Sequence, residues 1–516
     1  MLRDNILLTP GRSAVADFIR NYQQSPDADA IHIEGVTYSY AGLMNIALGI
    51  LRQIKDHHGD RQRFIGLYSD HSIYTYASII AILLNGSGYV PLNSKSPSER
   101  NGLICDDAEI KIILGTKESS SAINKICQCT NSKLTHIVSS MAAPSLAKFA
   151  ELPIVKAFED DFVYMMFTSG STGKPKGVPI SHKNICHYLS VMTDYGFYDF
   201  KPSDRFLQAI ELTFDMSILG IFVAWSVGAC VYPVKLDGLA YLNILKLLQD
   251  SKITVSYIVP SVVNYAKRYL DAGEINLLSL RYSFFAGESL LVSHVKAWKK
   301  SAPHSVIENV FGPTEATNTF LRYRWYETSE LEYINGAVSI GHPNPGIATA
   351  VISEAGEIVK DGEKGELCVY GAQVAQGYWK DSIKTESSFI TLKSSQLPGR
   401  WYKTGDLVYL NDNNNYVYLG RRDNQIKING FRVELGEIEH HIRKITNLES
   451  VAVIYNNGGL YAFIQNENEK LNKEFILSKL GEVVPEYMLP KSIAFLDEMP
   501  LNINGKVDRN ALKNLI

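Results

Sequence analysis

Cysteine is scarce in this sequence: six residues among 516, Cys105, Cys127, Cys129, Cys186, Cys230 and Cys368. That excludes a dense disulfide scaffold. The one close pair, Cys127-x-Cys129, lacks zinc-site spacing and has no histidine partners nearby, so a thiolate metal centre is excluded too, and a reducing cytoplasm is expected. Charge of one sign is not in excess. Lys and Arg number 51 against 54 Asp and Glu, a formal charge of −3, which is wrong for a protein that coats a polyanion; no nucleic-acid partner is expected. Long apolar runs are missing as well. The best candidate, residues 72–92, is broken by Ser, Asn and Gly and reads as a buried helix running into a strand, and the opening MLRDNILLTPGRS is too short for a signal-peptide core, so no membrane association is expected. There is no internal repeat, and the only low-complexity patch, NDNNNY at 411–416, sits between two strand-like runs as a hairpin loop does.

What remains is an ordinary globular composition, 46% hydrophobic and 20% charged, on a chain long enough for one large core with an appended domain. Between 160 and 320, short β-branched runs alternate with amphipathic ones. FVYMMF (162–167) leads into a Gly/Ser/Thr loop, ITVSYI (253–258) into a helix opened by Pro260, and YSFFA (282–286) into a helix in which Leu291, Val295 and Trp298 recur at helical spacing. SVIENVF (305–311) then ends at Gly312-Pro313. This alternation predicts a parallel, helix-covered sheet whose carboxyl-end loops, 168–177, 257–261, 286–288 and 310–315, line one crevice. After Asp406 the texture changes to hairpins, then to a small α+β unit with a helix at about 436–446 and strands near 450–455 and 459–465. The boundary is placed at 422/423, giving domains 1–422 and 423–516.

The loop Thr168-Ser169-Gly170-Ser171-Thr172-Gly173-Lys174-Pro175-Lys176-Gly177 combines glycines that permit close backbone approach, hydroxyls and amides that can bind phosphate oxygens, and two lysines. It is not a P-loop, because its Gly170 and Gly173 are separated by two residues rather than four. With FGPTEAT (311–317), YKTGD (402–406), GRRDNQIKINGFRVELGEIE (420–439) and PLNINGKVDR (500–509), in this order and spacing, the chain resembles the adenylate-forming superfamily over nearly its whole length. Within it the chain resembles stand-alone amino-acid adenylation domains of nonribosomal peptide synthesis, of the L-prolyl-carrier-protein ligase kind, and their D-alanine-carrier protein ligase relatives.

The resemblance implies a large N-terminal α/β domain with helix-covered sheets and a small mobile α+β C-terminal domain. It implies an ATP-dependent, AMP-forming ligase that uses Mg²⁺. A carboxylate and a triphosphate repel, so the site needs cations to bring them to reaction distance. Residues Thr168, Ser169, Gly170, Ser171, Thr172, Gly173 and Lys174 would hold the phosphates, Thr314 would lie by substrate and α-phosphate, and Glu315 would position Mg²⁺, a hard cation that prefers carboxylate oxygen. Asp406 would bind ribose with help from Arg421, while Phe311, where the family usually has Tyr, would stack on adenine in a pocket completed by Gly287 and Asn309. Lys506 matches the catalytic lysine that bridges the substrate carboxylate and the α-phosphate. Asp423 matches the hinge about which the small domain turns after adenylation, and Gly430, with Lys427 near it, would then line a pantetheine tunnel.

Phe214-Asp215-Met216-Ser217 resembles the substrate-binding block, and Asp215 would pair with an α-ammonium. Asp215, Met216, Leu219, Tyr257, Phe284, Ala286, Val310, Asn318 and Thr319 would line the pocket. Asp215 is the one formal charge among them, so a small, neutral, compact amino acid is expected, with L-proline favoured. Asn318 and Thr319 depart from the prolyl pattern, and D-alanine, L-alanine or another small residue shares most of the rest. No phosphopantetheine attachment motif follows Lys506, so a separate carrier protein is expected, and a monomeric enzyme. An acyl-CoA synthetase is the alternative reading, though it would have no use for Asp215.

Overall fold

The computed structural model describes residues 13–57, 62–140, 158–170, 173–236, 238–325, 333–334, 336–392, 397, 399–423, 425–466, 471–501 and 507–516. Two large sheets carry the N-terminal part. The nine-stranded one runs His342–Pro343, Leu321–Trp325, Val306–Phe311, Tyr282–Phe285, Val255–Ile258, Arg205–Gln208, Cys230–Pro233, Asp29–Ile33, Val36–Ser39. Its interior pairs are parallel and its edges antiparallel, as alternating strands and helices require. The helix Pro260–Asp271 starts with Pro at its first turn, where no amide donor is missed, and Val292–Ser301 buries Val295 and Trp298.

One strand falls elsewhere than the alternation suggests. Phe162–Thr168 belongs to a six-stranded sheet, ordered Thr135–Val138, Ile112–Gly115, Phe64–Ser69, Gly88–Asn93, Phe162–Thr168, Lys176–Ser181. There it lies parallel to Gly88–Asn93 and antiparallel to Lys176–Ser181, so the phosphate-loop candidate is the tip of a hairpin. An apolar run buried on both faces does not encode which neighbour it pairs with. The loop therefore meets the carboxyl-end loops of the nine-stranded sheet from across a gap.

The inner faces of both sheets share one apolar cluster, with Ile31, Phe206 and Val231 from one and Ile65, Tyr89, Ile112 and Tyr164 from the other. Between them lie the helices Tyr40–His57, Ile73–Leu84 and His182–Thr193, the last opened by a capping box between Ser181 and Asn184. Ile73–Leu84 is apolar on all sides because it is enclosed on all sides, and it runs into Gly88–Asn93. Among the described residues no helix is long and apolar enough to cross a membrane.

A five-stranded sheet (Ile347–Ile352, Gly365–Gly371, Trp401–Leu410, Phe389–Ile390, with Tyr416–Arg421 on the 401–410 strand) closes the large part, and the Asn-rich patch is its hairpin turn. From Ile426 onward the chain gathers a core of its own. The hairpin Gln425–Ile428/Phe431–Glu434 and the helices Leu435–Thr446 and Lys473–Gly481 pack on one face of a three-stranded sheet (Val451–Asn456, Gly459–Gln465, Ser492–Leu496) through Val433, Ile438, Ile442, Val453 and Ile464. The other face, built on Ala452, Ile454 and Phe463, takes Met499, Val507 and Leu512, so the described residues flanking 502–506 lie across the sheet from the hairpin.

Candidate active site

The cleft forms where the strands of the nine-stranded sheet end. Asp215 is in the turn after Arg205–Gln208, Tyr257 on Val255–Ile258, Ala286 and Gly287 beyond Tyr282–Phe285, and Phe311 to Thr314 beyond Val306–Phe311. Asp406 and Arg421 reach it from the five-stranded sheet, and Lys427, Gly430 and Arg432 from the small domain.

The segment after Gly312 is strained and firmly held. Thr317 and Asn318 both adopt left-handed backbone, φ 55° and 69°, unusual for a β-branched residue in particular. Buried Gln373 keeps them there. Its carbonyl accepts a hydrogen bond from the Thr317 hydroxyl at 2.6 Å through the backbone oxygen, and its side-chain amide donates to the carbonyls of Ala316, Thr317 and Thr319. The turn so fixed aims the Asn318 N–H at Asp215 Oδ2, 3.0 Å away. Burial pushes the Asp215 carboxyl up to about 6, a rise opposed by the Asn318 N–H and the Thr314 hydroxyl and reinforced by the charge of Glu315. Asp215 thus caps no helix; it is a buried anion short of a cation. The Tyr257 hydroxyl donates to Asn318 Oδ1 at 2.9 Å and Asn318 Nδ2 donates to the Tyr188 hydroxyl at 3.1 Å, which closes the floor below Asp215.

Glu315 is wholly buried. Oε1 accepts from the Tyr378 hydroxyl at 2.7 Å and Oε2 from Arg432 at 2.8 Å. Burial alone would raise its carboxyl, but Arg432, then Lys176, then Tyr378 outweigh it and hold it down at about 2. Lys176 lies 5.2 Å from the centre of the Tyr378 ring, and burial together with Arg432 lowers its ammonium to about 8 against the opposing pull of Glu315 and Glu434. Of the two loop lysines, Lys174 is exposed and Lys176 is turned toward Glu315 and Glu434. Asp406, 3.1 Å from Arg421, is buried beside Phe311, and Arg421 also grips Asp423 at 2.6 Å and donates to the Thr404 carbonyl. The ammonium of Lys427 stands 5.4 Å from the Phe311 ring centre.

Asp215, Met216, Tyr257, Ala286, Gly287, Phe311, Thr314, Asn318, Asp406, Arg421 and Gly430 line the cleft, as the motifs imply. Leu219, Phe284, Val310 and Thr319 are buried but do not line it; Phe284 packs edge-on against Tyr198 and Tyr257 as part of an aromatic cluster. Asn309 is buried, and its amide donates to the carbonyls of Val338 and Ser339. Thr168, Ser169, Gly170 and Gly173 stand at the mouth of the hairpin, where Ser169 hydrogen-bonds the small domain. Ser171, Thr172 and Lys506 lie outside the described residues. The sequence reading missed Gln373, Lys176 as the inward lysine, Arg432, and the pair Arg100 and Glu437. Arg432 and Glu437 stand in a recognised motif, whereas Gln373 and Arg100 carry no local signal.

The profile of the AMP-binding enzyme family matches residues 18–379. The chain belongs to that family. Within it the chain is 31% identical to zwittermicin A synthase ZmaJ of Bacillus cereus, over 95% of this chain and 92% of that one. It is 30% identical to surfactin synthase subunit 2 of Bacillus subtilis (strain 168) over 98% of this chain, though it spans only 14% of that protein. Among solved structures, the Vibrio cholerae adenylation domain AlmE in complex with glycyl-adenosine-5'-phosphate superposes with a TM-score of 0.84 at 27% identity, covering 97% of each chain. The architecture of this AMP-binding enzyme is accordingly that of an adenylation domain, a large N-terminal part with a small C-terminal domain set on its cleft.

A second cavity, about 730 Å³, opens on the far side of Gly430 and shares Phe214, Met216 and Gly430 with the cleft. Phe431 stacks on Tyr487 at 4.1 Å along its wall. Gly430 has φ 82°, and a Cβ there would come 2.5 Å from Val259 Cγ1, so only glycine leaves the junction open.

Proposed function

We propose that this chain activates a small neutral amino acid, L-proline above others, as its adenylate and passes the acyl group to the phosphopantetheine thiol of a separate carrier protein, with the chain dividing at 422/423. The observation that carries this is Asp215: a buried carboxylate at the cleft, beside Phe311 and Asp406, whose burial is compensated when an α-ammonium docks on it. Tyr257 and Asn318 close the floor of the cleft below Asp215, which favours a compact side chain.

In the first half-reaction a carboxylate oxygen attacks the α-phosphorus of ATP; the new O–P bond forms as the bond to pyrophosphate breaks, and pyrophosphate leaves with the electron pair. Asp215 orients the amino acid, Phe311 packs on adenine, Asp406 accepts from the ribose hydroxyls with Arg421 fixing it, and Lys176 with the Gly170 amide holds the outer phosphates. Glu315 suits Mg²⁺, a cation commonly held by one or two carboxylates plus substrate phosphates, and among the described residues no larger cluster of metal-binding side chains competes with it. That ion would neutralise phosphate charge. Lys506 is proposed as the cation bridging carboxylate and α-phosphate. In the second half-reaction, after the small domain turns about Asp423, the thiol sulfur attacks the acyl carbon through the cavity behind Gly430. The C–S bond forms, the C–O bond to AMP breaks with its electrons on the phosphate, and the thiol proton goes to water.

The test is ATP–pyrophosphate exchange with L-proline, D- and L-alanine, glycine, serine, valine and a fatty acid, with Lys506→Ala as control. Exchange with a small amino acid, lost in Lys506→Ala while ATP still binds, is the expected outcome. Preference for D-alanine would replace proline by the D-alanine-carrier ligase reading, and turnover of the fatty acid alone would replace both by an acyl-CoA synthetase.

A further inference from the structure

A buried carboxylate outside the recognised motifs ties the ends of the two large sheets together. Glu211 stands three residues beyond the strand Arg205–Gln208, in the segment that leads to Phe214 and Asp215. Facing it are the loops that follow Phe64–Ser69 and Gly88–Asn93, neighbouring parallel strands of the six-stranded sheet. The first loop brings His71 Nε2 to 2.8 Å from Glu211 Oε2, and the second brings Lys95 Nζ to 3.0 Å from Oε1, so each oxygen is held from a different loop. Lys95 also donates to the Leu236 carbonyl at 2.8 Å, beyond the strand Cys230–Pro233, and so grips the ends of two adjacent strands of the nine-stranded sheet. Burial works to raise the Glu211 carboxyl, but His71 and then Lys95 outweigh it and hold it below the usual carboxylate range, so the group that faces them is charged.

Both sides of this clasp are braced. His71 has left-handed backbone, φ 56°, a conformation that costs energy and persists where the surroundings over-determine it. Next to it the Asp70 carboxylate accepts from the Ser72 N–H at 3.1 Å, the Thr75 hydroxyl at 2.7 Å and the Thr116 hydroxyl at 2.8 Å. On the other side the Glu211 carbonyl accepts from the Phe214 N–H, the Phe214 carbonyl from the Ser217 N–H and the Asp215 carbonyl from the Ile218 N–H, each at 3.0 Å. The carboxylate thus anchors the first residue of the run of turns that presents Asp215.

We propose that Glu211 is a positioning residue for adenylation: through His71 and Lys95 it fixes the Asp215 turn to the six-stranded sheet whose hairpin holds the phosphates, and so sets the spacing between the amino-acid carboxylate and ATP. The proposal rests on the adenylation reading above. Asp215 and the phosphate loop reach the cleft from different sheets, and the reacting atoms must approach to about 3–3.5 Å, so the register between the sheets enters the rate directly. The apolar cluster the sheets share holds them together but is non-directional. Charge-assisted hydrogen bonds to both oxygens of one carboxylate supply the direction, and the strand Gly88–Asn93, which delivers Lys95, pairs with Phe162–Thr168, which delivers the phosphate loop.

Two measurements test this. In the first, Glu211→Gln, Lys95→Met and the double variant are assayed by ATP–pyrophosphate exchange with whichever amino acid the wild type accepts, with rates counted per ATP-binding site so that unfolded protein drops out. In each single variant the kcat of exchange should fall by at least about tenfold and the KM for the amino acid rise by about fivefold or more, while the KM for ATP stays within about threefold. Both substitutions break one contact, so the double variant should lie within about twofold of the poorer single one, and Lys95→Arg should recover part of what Lys95→Met loses. Unchanged kinetics, equal rises in both KM values, or a double variant that loses the product of the single losses overturns the assignment. Slower transfer to free pantetheine with exchange unaltered would put the clasp on the thiol path and overturns it too. In the second, amide hydrogen exchange is followed without substrates: residues 211–218 should exchange faster in Glu211→Gln and in Lys95→Met than in the wild type, with 176–181 unchanged. Lys95 is half exposed, so Lys95→Met keeps the test open if Glu211→Gln does not fold. Unaltered protection of 211–218 overturns the clasp whatever the activity. A wild-type chain that catalyses no amino-acid-dependent exchange would defeat the adenylation reading instead, and the protection measurement separates that failure from this one.

Discussion

Replacing Asp215 by Asn preserves the side chain's shape and an acceptor oxygen for the Asn318 N–H at 3.0 Å; it removes the charge alone. Burial raises this carboxyl from 3.8 to about 6. Between those values the folded chain binds more protons than the unfolded one, so the group's contribution to stability is greatest at low pH and declines as pH rises through about 4 to 6. A difference of about two pH units corresponds to a cost on the order of 3 kcal/mol at neutral pH. The Asn variant escapes that cost, so near neutrality it should melt at a higher temperature than the wild type. Catalysis should move the other way. Truncating one side of a buried, hydrogen-bonded charge pair costs about 2–5 kcal/mol, or roughly 30-fold to a few thousand-fold in kcat/KM for the amino acid. The assay pairs thermal unfolding with exchange kinetics, titrating amino acid and ATP separately. The KM for ATP should change little. In the wild type, amino-acid kcat/KM should also decline below pH about 6, as Asp215 takes a proton, and the variant should lack that acid limb. A variant that melts earlier and loses ATP and amino acid alike would refute the reasoning and make Asp215 a structural residue.

Three further outcomes follow from the same geometry. Because Lys176 is held at about 8 by burial and Arg432, it loses its charge as pH rises past that value; the KM for ATP should climb on the alkaline side, and Lys176→Arg, which stays charged, should flatten that limb of the profile. Gln373→Leu leaves the carbonyls of Ala316, Thr317 and Thr319 without their buried donor, for about 1–3 kcal/mol of stability, and frees the Thr317 turn; the kcat of exchange should drop by about 100-fold, more than unfolding data alone explain, and equal loss in exchange and in folded fraction would sink that positioning role. Gly430→Val must place a side chain against Val259 from a backbone at φ 82°, so transfer to pantetheine should suffer more than exchange, and the reverse ranking would remove Gly430 from the thiol path.

The local signals in the sequence translated well. The Asn-rich turn, the helix opened by Pro260 and the helix Leu435–Thr446 stand where periodicity and punctuation put them, because each depends on residues near in the chain. What depends on pairing at a distance did not translate. FVYMMF reads as a strand whichever sheet takes it, and it is the pairing with Lys176–Ser181 and Gly88–Asn93, with Tyr164 packed on Tyr89, that places it in the six-stranded one. The cleft divides on the same line. Asp215, Glu315 and Asp406 are found from motifs because the residues around them repeat a pattern, whereas the strained turn beside Asp215 and Glu315 shows only in the backbone, as Thr317 at φ 55° and Asn318 at φ 69°. Gln373, which holds that strain, works through three backbone carbonyls, and backbone carbonyls are the same in every sequence. Lys174 and Lys176 are equivalent on the page of a sequence, two cations flanking a proline; hairpin geometry turns one outward and buries the other against Tyr378. Arg100 is the extreme case. Nothing in its neighbourhood distinguishes it from a surface arginine, and its partner is a carboxylate 337 positions away in the chain, Glu437 of the small domain.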